Sequence, residues 1–383
     1  MVLGKMCSHV NIRLKVSNNK NLKSSNIRKA FISTKGVGHK IMFKKFYMLF
    51  LVLLLALSGC GHKEKTVQKE NNKPSESGKV PDTIKESTPK YIFPLTGIKT
   101  KAIQENRSVA VMINNYPAAR PQSGLAEADI VYEVLAEGDI TRFLAIYQSE
   151  QPKRIGPVRS ARDYFIHLAK GYGSFYVAHG YSPEAYKMLS SGYIDNINGI
   201  QYDGTLFKRS SDRKPPHNSY ISYENILKGA KLKHYEMNTP PDSLDFMQKV
   251  QVSGQDAKSI MIHYSQNSLF NVEYEYDAET EKFKRFSGGE QTADLESKRP
   301  VLIDNLFIVE SEHKVIDKKG RRDINLTSGG KAYLFQKGKY REVEWRNVDD
   351  RILPFINGEK VKFVPGKTWI NIVPNLNMVG IDK

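Results

Sequence analysis

Residues 129–148 read DIVYEVLAEGDITRFLAIYQ. Two apolar runs, Asp129–Leu135 and Thr141–Gln148, flank Glu137-Gly138-Asp139-Ile140. Both runs are rich in β-branched and aromatic residues, which marks strands. A Gly-Asp pair with glycine first suits a two-residue type II′ turn. The stretch therefore predicts a β-hairpin whose register follows from its loop, with Glu133 opposite Leu144 and Leu135 opposite Arg142. One face would carry Val131, Glu133, Leu135, Glu137, Ile140, Arg142, Leu144 and Ile146. Arg142 would then lie diagonal to both Glu133 and Glu137, within side-chain reach. Such a charged trio either pins the register as a salt bridge or orients an arginine toward a ligand.

Around the hairpin the chain reads as a mixed α/β segment. Ser108–Ile113 (SVAVMI) and Phe175–Ala178 (FYVA) predict strands. Ser160–Lys170 (SARDYFIHLAK), closed by Gly171, predicts a helix. Ser182-Pro183 places an N-cap serine before an N1 proline and opens a second helix through Leu189. A third runs from Tyr223 to Lys231, and Tyr235–Asp245, with Pro240-Pro241, reads as a boundary. Beyond it strands dominate. Phe270, Val272, Tyr274 and Tyr276 alternate with polar residues. Tyr333–Gln336 and Tyr340–Trp345 flank a Lys337-Gly338-Lys339 turn, and in TWINIV Ile370 and Ile372 alternate with Trp369, Asn371 and Val373. The expected class is α+β: an N-terminal mixed α/β-sheet domain over 91–240 and a mainly antiparallel β domain over 241–383.

Upstream, Lys44 and Lys45 precede twelve apolar residues, Phe46–Leu57, and then Ser58-Gly59-Cys60. This is the order of a secretory signal, and the run is shorter than the roughly 20 residues a membrane span needs. Leu57-Ser58-Gly59-Cys60 resembles the lipobox of bacterial lipoproteins, which implies a lipidated Cys60 as the mature N-terminus. The expected layout is a mis-assigned upstream extension over 1–41, a signal peptide over 42–59, and lipidated Cys60 with a disordered tether to residue 90. Residues 61–90 have no aromatic and three aliphatic residues, too few to offset ordering entropy. As a coil they would reach on the order of 30 Å.

That layout changes the charge. Of the formal +17, nine positive residues lie in 1–41, which has no acid, and two more are Lys44 and Lys45, leaving +6 on the mature chain. So modest a value makes no case for nucleic acid. The cysteines are Cys7 and Cys60, so a lipidated Cys60 removes thiol catalysis and disulfides. The expected partner is the membrane, through Cys60.

The remaining candidates are basic or imidazole groups. Arg159 and Arg162 flank a predicted helix N-terminus, where Ser160 and Asp163 have capping-box spacing. Free N–H groups and two guanidiniums there could hold a carboxylate or phosphate, unless each arginine pairs with an acid of the protein. His179 follows a buried strand, and Arg213 and His217 lie in the rigid stretch RKPPHN. Either histidine could act as acid or base, or simply serve the structure. There is no H-E-x-x-H or C-x-x-C metal pattern and no cofactor fingerprint. Gly366-Lys367-Thr368 is not a P-loop end, because Val361 stands where its first glycine belongs.

The segments NNYPAARPQSGLAEADIVYEVLAEGDITRFLAIYQ, IGPVRSARDYF, DRKPPHNSY and PGKTWINIVP together resemble the YerB-like family of bacterial lipoproteins. The likeness spans Phe93 to Pro374. It implies lipid anchoring and paired N- and C-terminal domains of unknown function, and it carries no catalytic residues across. The functional expectation from the residues is an anionic cell-envelope ligand held by Arg142, Arg159, Arg162 and Arg213, with Glu133 and Glu137 orienting Arg142. The alternatives are a cell-wall hydrolase or transferase using Glu133 or Glu137 with His179 or His217, and a protein-interaction scaffold.

Overall fold

The computed structural model describes residues 89–383. The expected extension, signal peptide, Cys60 and most of the tether lie outside the described residues. The longer elements, in chain order, are β1 (Val109–Asn114), β2 (Ile130–Glu137), β3 (Ile140–Tyr147), α1 (Asp163–Lys170), β4 (Phe175–Ala178), α2 (Pro183–Ser190), β5 (Asn196–Asn198) and α3 (Tyr223–Leu232). There follow β6 (Ser259–Ile262), β7 (Val272–Asp277), β8 (Lys282–Ser287), β9 (Asn305–Glu310), β10 (Gly330–Gln336), β11 (Lys339–Val348), β12 (Arg351–Ile356), β13 (Thr368–Val373) and β14 (Val379–Asp382).

The expected α+β class holds. One large mixed sheet runs β12-β11-β10-β9-β13-β2-β3-β1-β4-β5, and a smaller antiparallel sheet runs β8-β7-β6-β14. β13 is parallel to both β9 and β2. Strands from 91–240 and from 241–383 thus share one sheet. The hairpin, buried on both faces, reads as near-continuous apolar sequence because it is central. One face, with Ile130, Tyr132, Leu144 and Ile370, packs on α1 and α2 through Phe165, Leu168 and Ala185. The other, with Val131, Phe143, Val177 and Trp369, packs on α3 and the smaller sheet through Ile226, Ile260 and Tyr274. The expected alternation in β13 is obeyed.

Two local expectations are corrected. The β2–β3 turn is at Gly138-Asp139, but the register shifts between Leu135 and Glu137. A bulge at Ala136 gives the pairs Glu133–Phe143 and Val134–Arg142, and an extra residue on one strand reverses which side chains share a face. Glu133 and Arg142 therefore lie on opposite faces. The capping box also fails to form. The helix begins at Asp163, so Arg162 is the N-cap of α1, with no side-chain cap, and Ser160, two residues upstream, donates its Oγ to the His179 carbonyl at 3.2 Å. At α2 the expected cap is present, with Ser182 Oγ accepting from Ala185 N at 3.1 Å.

Candidate functional site

β1, β2, β4, β5, β9 and β13 run in one direction, so their carboxyl ends line one edge of the large sheet. Open sheets of this kind characteristically bind ligands at that edge. Residues 155–161 cross it, held by Asn114 N to the Pro157 carbonyl (2.9 Å), Arg159 N to that of Met112 (2.9 Å) and His179 N to that of Arg159 (2.9 Å). The strap places Arg159 and Arg162 beside Glu137 at the end of β2.

Glu137 is the hub. Its Oε2 accepts from Arg142 Nη2 at 2.6 Å and its Oε1 from Arg162 Nη2. Burial works to raise its carboxyl, but Arg142 and Arg162 outweigh it and hold the group below the usual carboxylate range. Arg142 also donates to the Ser160 carbonyl at 2.7 Å. Burial first, then Arg162, lowers its guanidinium to about 10. Arg142 and Arg162 are 4% and 8% exposed. Arg162 Nε is buried without a partner.

Arg159 differs. Its guanidinium makes no hydrogen bond or ion pair among the described residues, and its Nε is buried. Burial lowers its affinity for a proton, Glu137 opposes this and Arg162 adds to it. One carboxylate thus stands among three guanidiniums and pairs with two of them.

Both histidines border this cluster. Arg209 Nη2 can only donate, so His179 Nε2 accepts at 3.1 Å and Nδ1–H donates to Ser219 Oγ at 2.7 Å. That direction leaves His179 unable to take a proton from Ser219, and it carries no nucleophile. Burial and then Arg209 lower its pKa. Asn114 Oδ1 accepts from Tyr116 N at 3.0 Å, so its amide group donates to His217 Nδ1 at 2.8 Å. Neutral His217 therefore bears its proton on Nε2. Burial, then Arg159 and Arg213, lower its pKa. Arg213 donates to the Ala119 and Pro121 carbonyls and to Tyr220 Oη, all at 2.7–2.9 Å and all uncharged.

The expectation that Glu133 orients Arg142 is corrected. Glu133 is 0% exposed and pairs with Arg285, which is 1% exposed, at 2.9 Å. It also accepts from Trp369 Nε1 (3.1 Å), Thr141 Oγ1 (3.0 Å) and Asn115 Nδ2 (3.2 Å). Arg285 comes from β8 of the smaller sheet, and its guanidinium carbon lies 4.9 Å from the Trp369 ring centre and 5.1 Å from that of Phe143. Glu133 is thus a core group joining two sheets.

Sequence reasoning missed Tyr116, whose ring stacks on His217 at 5.0 Å and 17°. The signal was an aromatic residue in the otherwise polar stretch Asn114-Asn115-Tyr116-Pro117. Against α1 a cavity of about 410 Å³ is lined by Asp163, His167, Asp323 and Asp350 among others. It is acidic, opposite in sign to the arginine edge. Among the described residues no group of three His, Cys, Asp or Glu is placed to hold a metal.

Fold and edge together define an α+β protein with a donor-rich, cationic site at the carboxyl ends of its strands. The chain belongs to the DUF3048 family: residues 95–236 match "Protein of unknown function (DUF3048) N-terminal domain" and 260–370 match its C-terminal domain. It is 50% identical over 306 residues to the "Putative lipoprotein YerB" of Bacillus subtilis (strain 168), covering 79% of this chain and 91% of the relative. It is also similar to the crystal structure of YerB protein from Bacillus subtilis, with a TM-score of 0.73 and 50% identity over 77% of this chain and 100% of the other. Among the described residues no helix is long and apolar enough to cross a membrane.

Proposed function

We propose that this protein is an extracytoplasmic lipoprotein, anchored through Cys60, that binds an anionic cell-envelope ligand at the arginine edge. The observation that carries this reading is the partnerless guanidinium of Arg159, set beside Arg142, Arg162 and the single carboxylate of Glu137. Holding like charges together costs stability, which a binding site tolerates and a structural one does not. A bound carboxylate or phosphate would supply the missing acceptor in a bidentate fork. A binding role fits better than acid–base catalysis. Glu137 is fully engaged by two arginines, and the Nδ1 atoms of both histidines are occupied.

The test is co-sedimentation of the protein with purified cell-wall material. Arg159→Ala should remain folded and lose retention, whereas undiminished retention would refute the reading. Lipidation is checked by intact mass, which should show an acylated N-terminal cysteine that Cys60→Ala abolishes.

A further inference from the structure

Three arginines around the Asn114–Pro121 loop form no ion pair among the described residues: Arg120, Arg159 and Arg213. Arg120 spends its donors on the carbonyls of Asn115 and Leu269. Arg213 spends its own on Ala119, Pro121 and the Tyr220 hydroxyl. Most other described arginines have a carboxylate, as with Arg107 and Asp195 or Arg154 and Glu296. Within this cationic surround stands the Tyr116–His217 stack, its tyrosine 38% exposed. Phe270 backs it at 6.2 Å, and Asn114 fixes it at the His217 end.

This arrangement asks more of a ligand than charge. The exposed part of the Tyr116 ring, 38% of the residue, offers apolar contact beside its hydroxyl. The axial C–H groups of a pyranose ring present an apolar face of matching size, whereas an acidic peptide side chain presents a flexible methylene stem. His217 Nε2–H is an uncharged donor with no partner among the described residues, suited to a hydroxyl or ring oxygen. The ring stack, the neutral donor and the unpaired guanidinium of Arg159 together match a sugar that carries an acid.

We infer that the ligand is an acidic glycan, one sugar ring of which lies on the Tyr116–His217 stack while its acid group is held by Arg159. This rests on the anion-binding reading and adds the chemistry of what bears the anion. The experiment titrates the protein with an oligogalacturonate and with an oligoglutamate of equal charge, matching carboxylates with and without a ring. The protein should bind the saccharide about tenfold more tightly, the value of one good ring contact. Tyr116→Phe should keep that ratio. Tyr116→Leu, which keeps apolar bulk, should bring it to about one with oligoglutamate binding unchanged, and Arg159→Ala should weaken both probes.

A Tyr116→Leu protein that keeps the wild-type ratio overturns the glycan inference and leaves the anion site standing. A wild-type preference for oligoglutamate overturns it in favour of an acidic peptide. If Arg159→Ala binds both probes as well as wild type, the anion site itself falls.

Discussion

Replacing Glu133 by glutamine should damage stability and spare the arginine edge. The substitution preserves volume and one acceptor oxygen but strands the Arg285 charge, 1% exposed, between two sheets. Breaking a buried pair on one side costs about 3–5 kcal/mol, against a total stability of about 5–15 kcal/mol for a folded domain. Arg285→Met strands the opposite charge and should cost a similar amount, although Trp369, Thr141 and Asn115 still donate to the carboxylate. The double variant removes both charges and should be less destabilised than the sum of the single variants by about 2–3 kcal/mol, the upper range of coupling for contacting residues. Urea unfolding at neutral pH measures all four proteins, with the midpoint shifting and the slope unchanged. Single losses below about 1 kcal/mol, or simple additivity, would refute a structural pair. So would Glu133→Gln abolishing anion binding while leaving stability intact.

Three further outcomes follow from the same geometry. Arg159→Met removes one of three neighbouring like charges, so it should leave stability unchanged or raise it, while losing binding to cell-wall material. A loss in urea unfolding would mean the guanidinium does structural service. Gly156→Ala should cost more than about 1 kcal/mol, because φ is +143° and a Cβ would lie 2.8 Å from the Ser219 carbonyl oxygen. The shifted strap should also weaken binding, measured on the folded fraction. His313 has both ring nitrogens buried without partners, and burial, then Arg322, pushes it down to about 3. Between that value and 6.5 the unfolded chain binds a proton that the native one refuses, so stability falls as pH drops. His313→Phe should flatten this dependence between pH 4 and 6 by about 1 kcal/mol per unit. An unchanged slope would show that His313 is not its source.

What the sequence made legible was local. The β2–β3 hairpin announces itself through apolar runs around Gly138-Asp139. Ser182-Pro183 announces a helix start, and the Trp369–Val373 alternation announces a two-sided strand. What it hid depended on distant partners or on a single backbone irregularity. Nothing in VLAEGD marks Ala136 as the extra residue, yet that bulge puts Glu133 and Arg142 on opposite faces. The true partner of Glu133 is Arg285, 152 residues away, and no local spacing could pair them. The parallel seating of β13 between β9 and β2 is equally non-local. The arginine edge was half legible. Glu137, Arg142, Arg159 and Arg162 were candidates from charge, but the lack of a partner at Arg159 is visible only when every neighbour is in place.

We propose that the guanidinium of Arg159, unpaired within the protein, takes an anion as its partner. The most direct measurement is a nitrogen-15 spectrum of the arginine side chains during titration with the acidic oligosaccharide. The Arg159 Nε resonance should shift saturably, with Arg107, already paired with Asp195, staying in place. A titration that leaves Arg159 unmoved, or moves exposed arginines indiscriminately, would contradict the proposal.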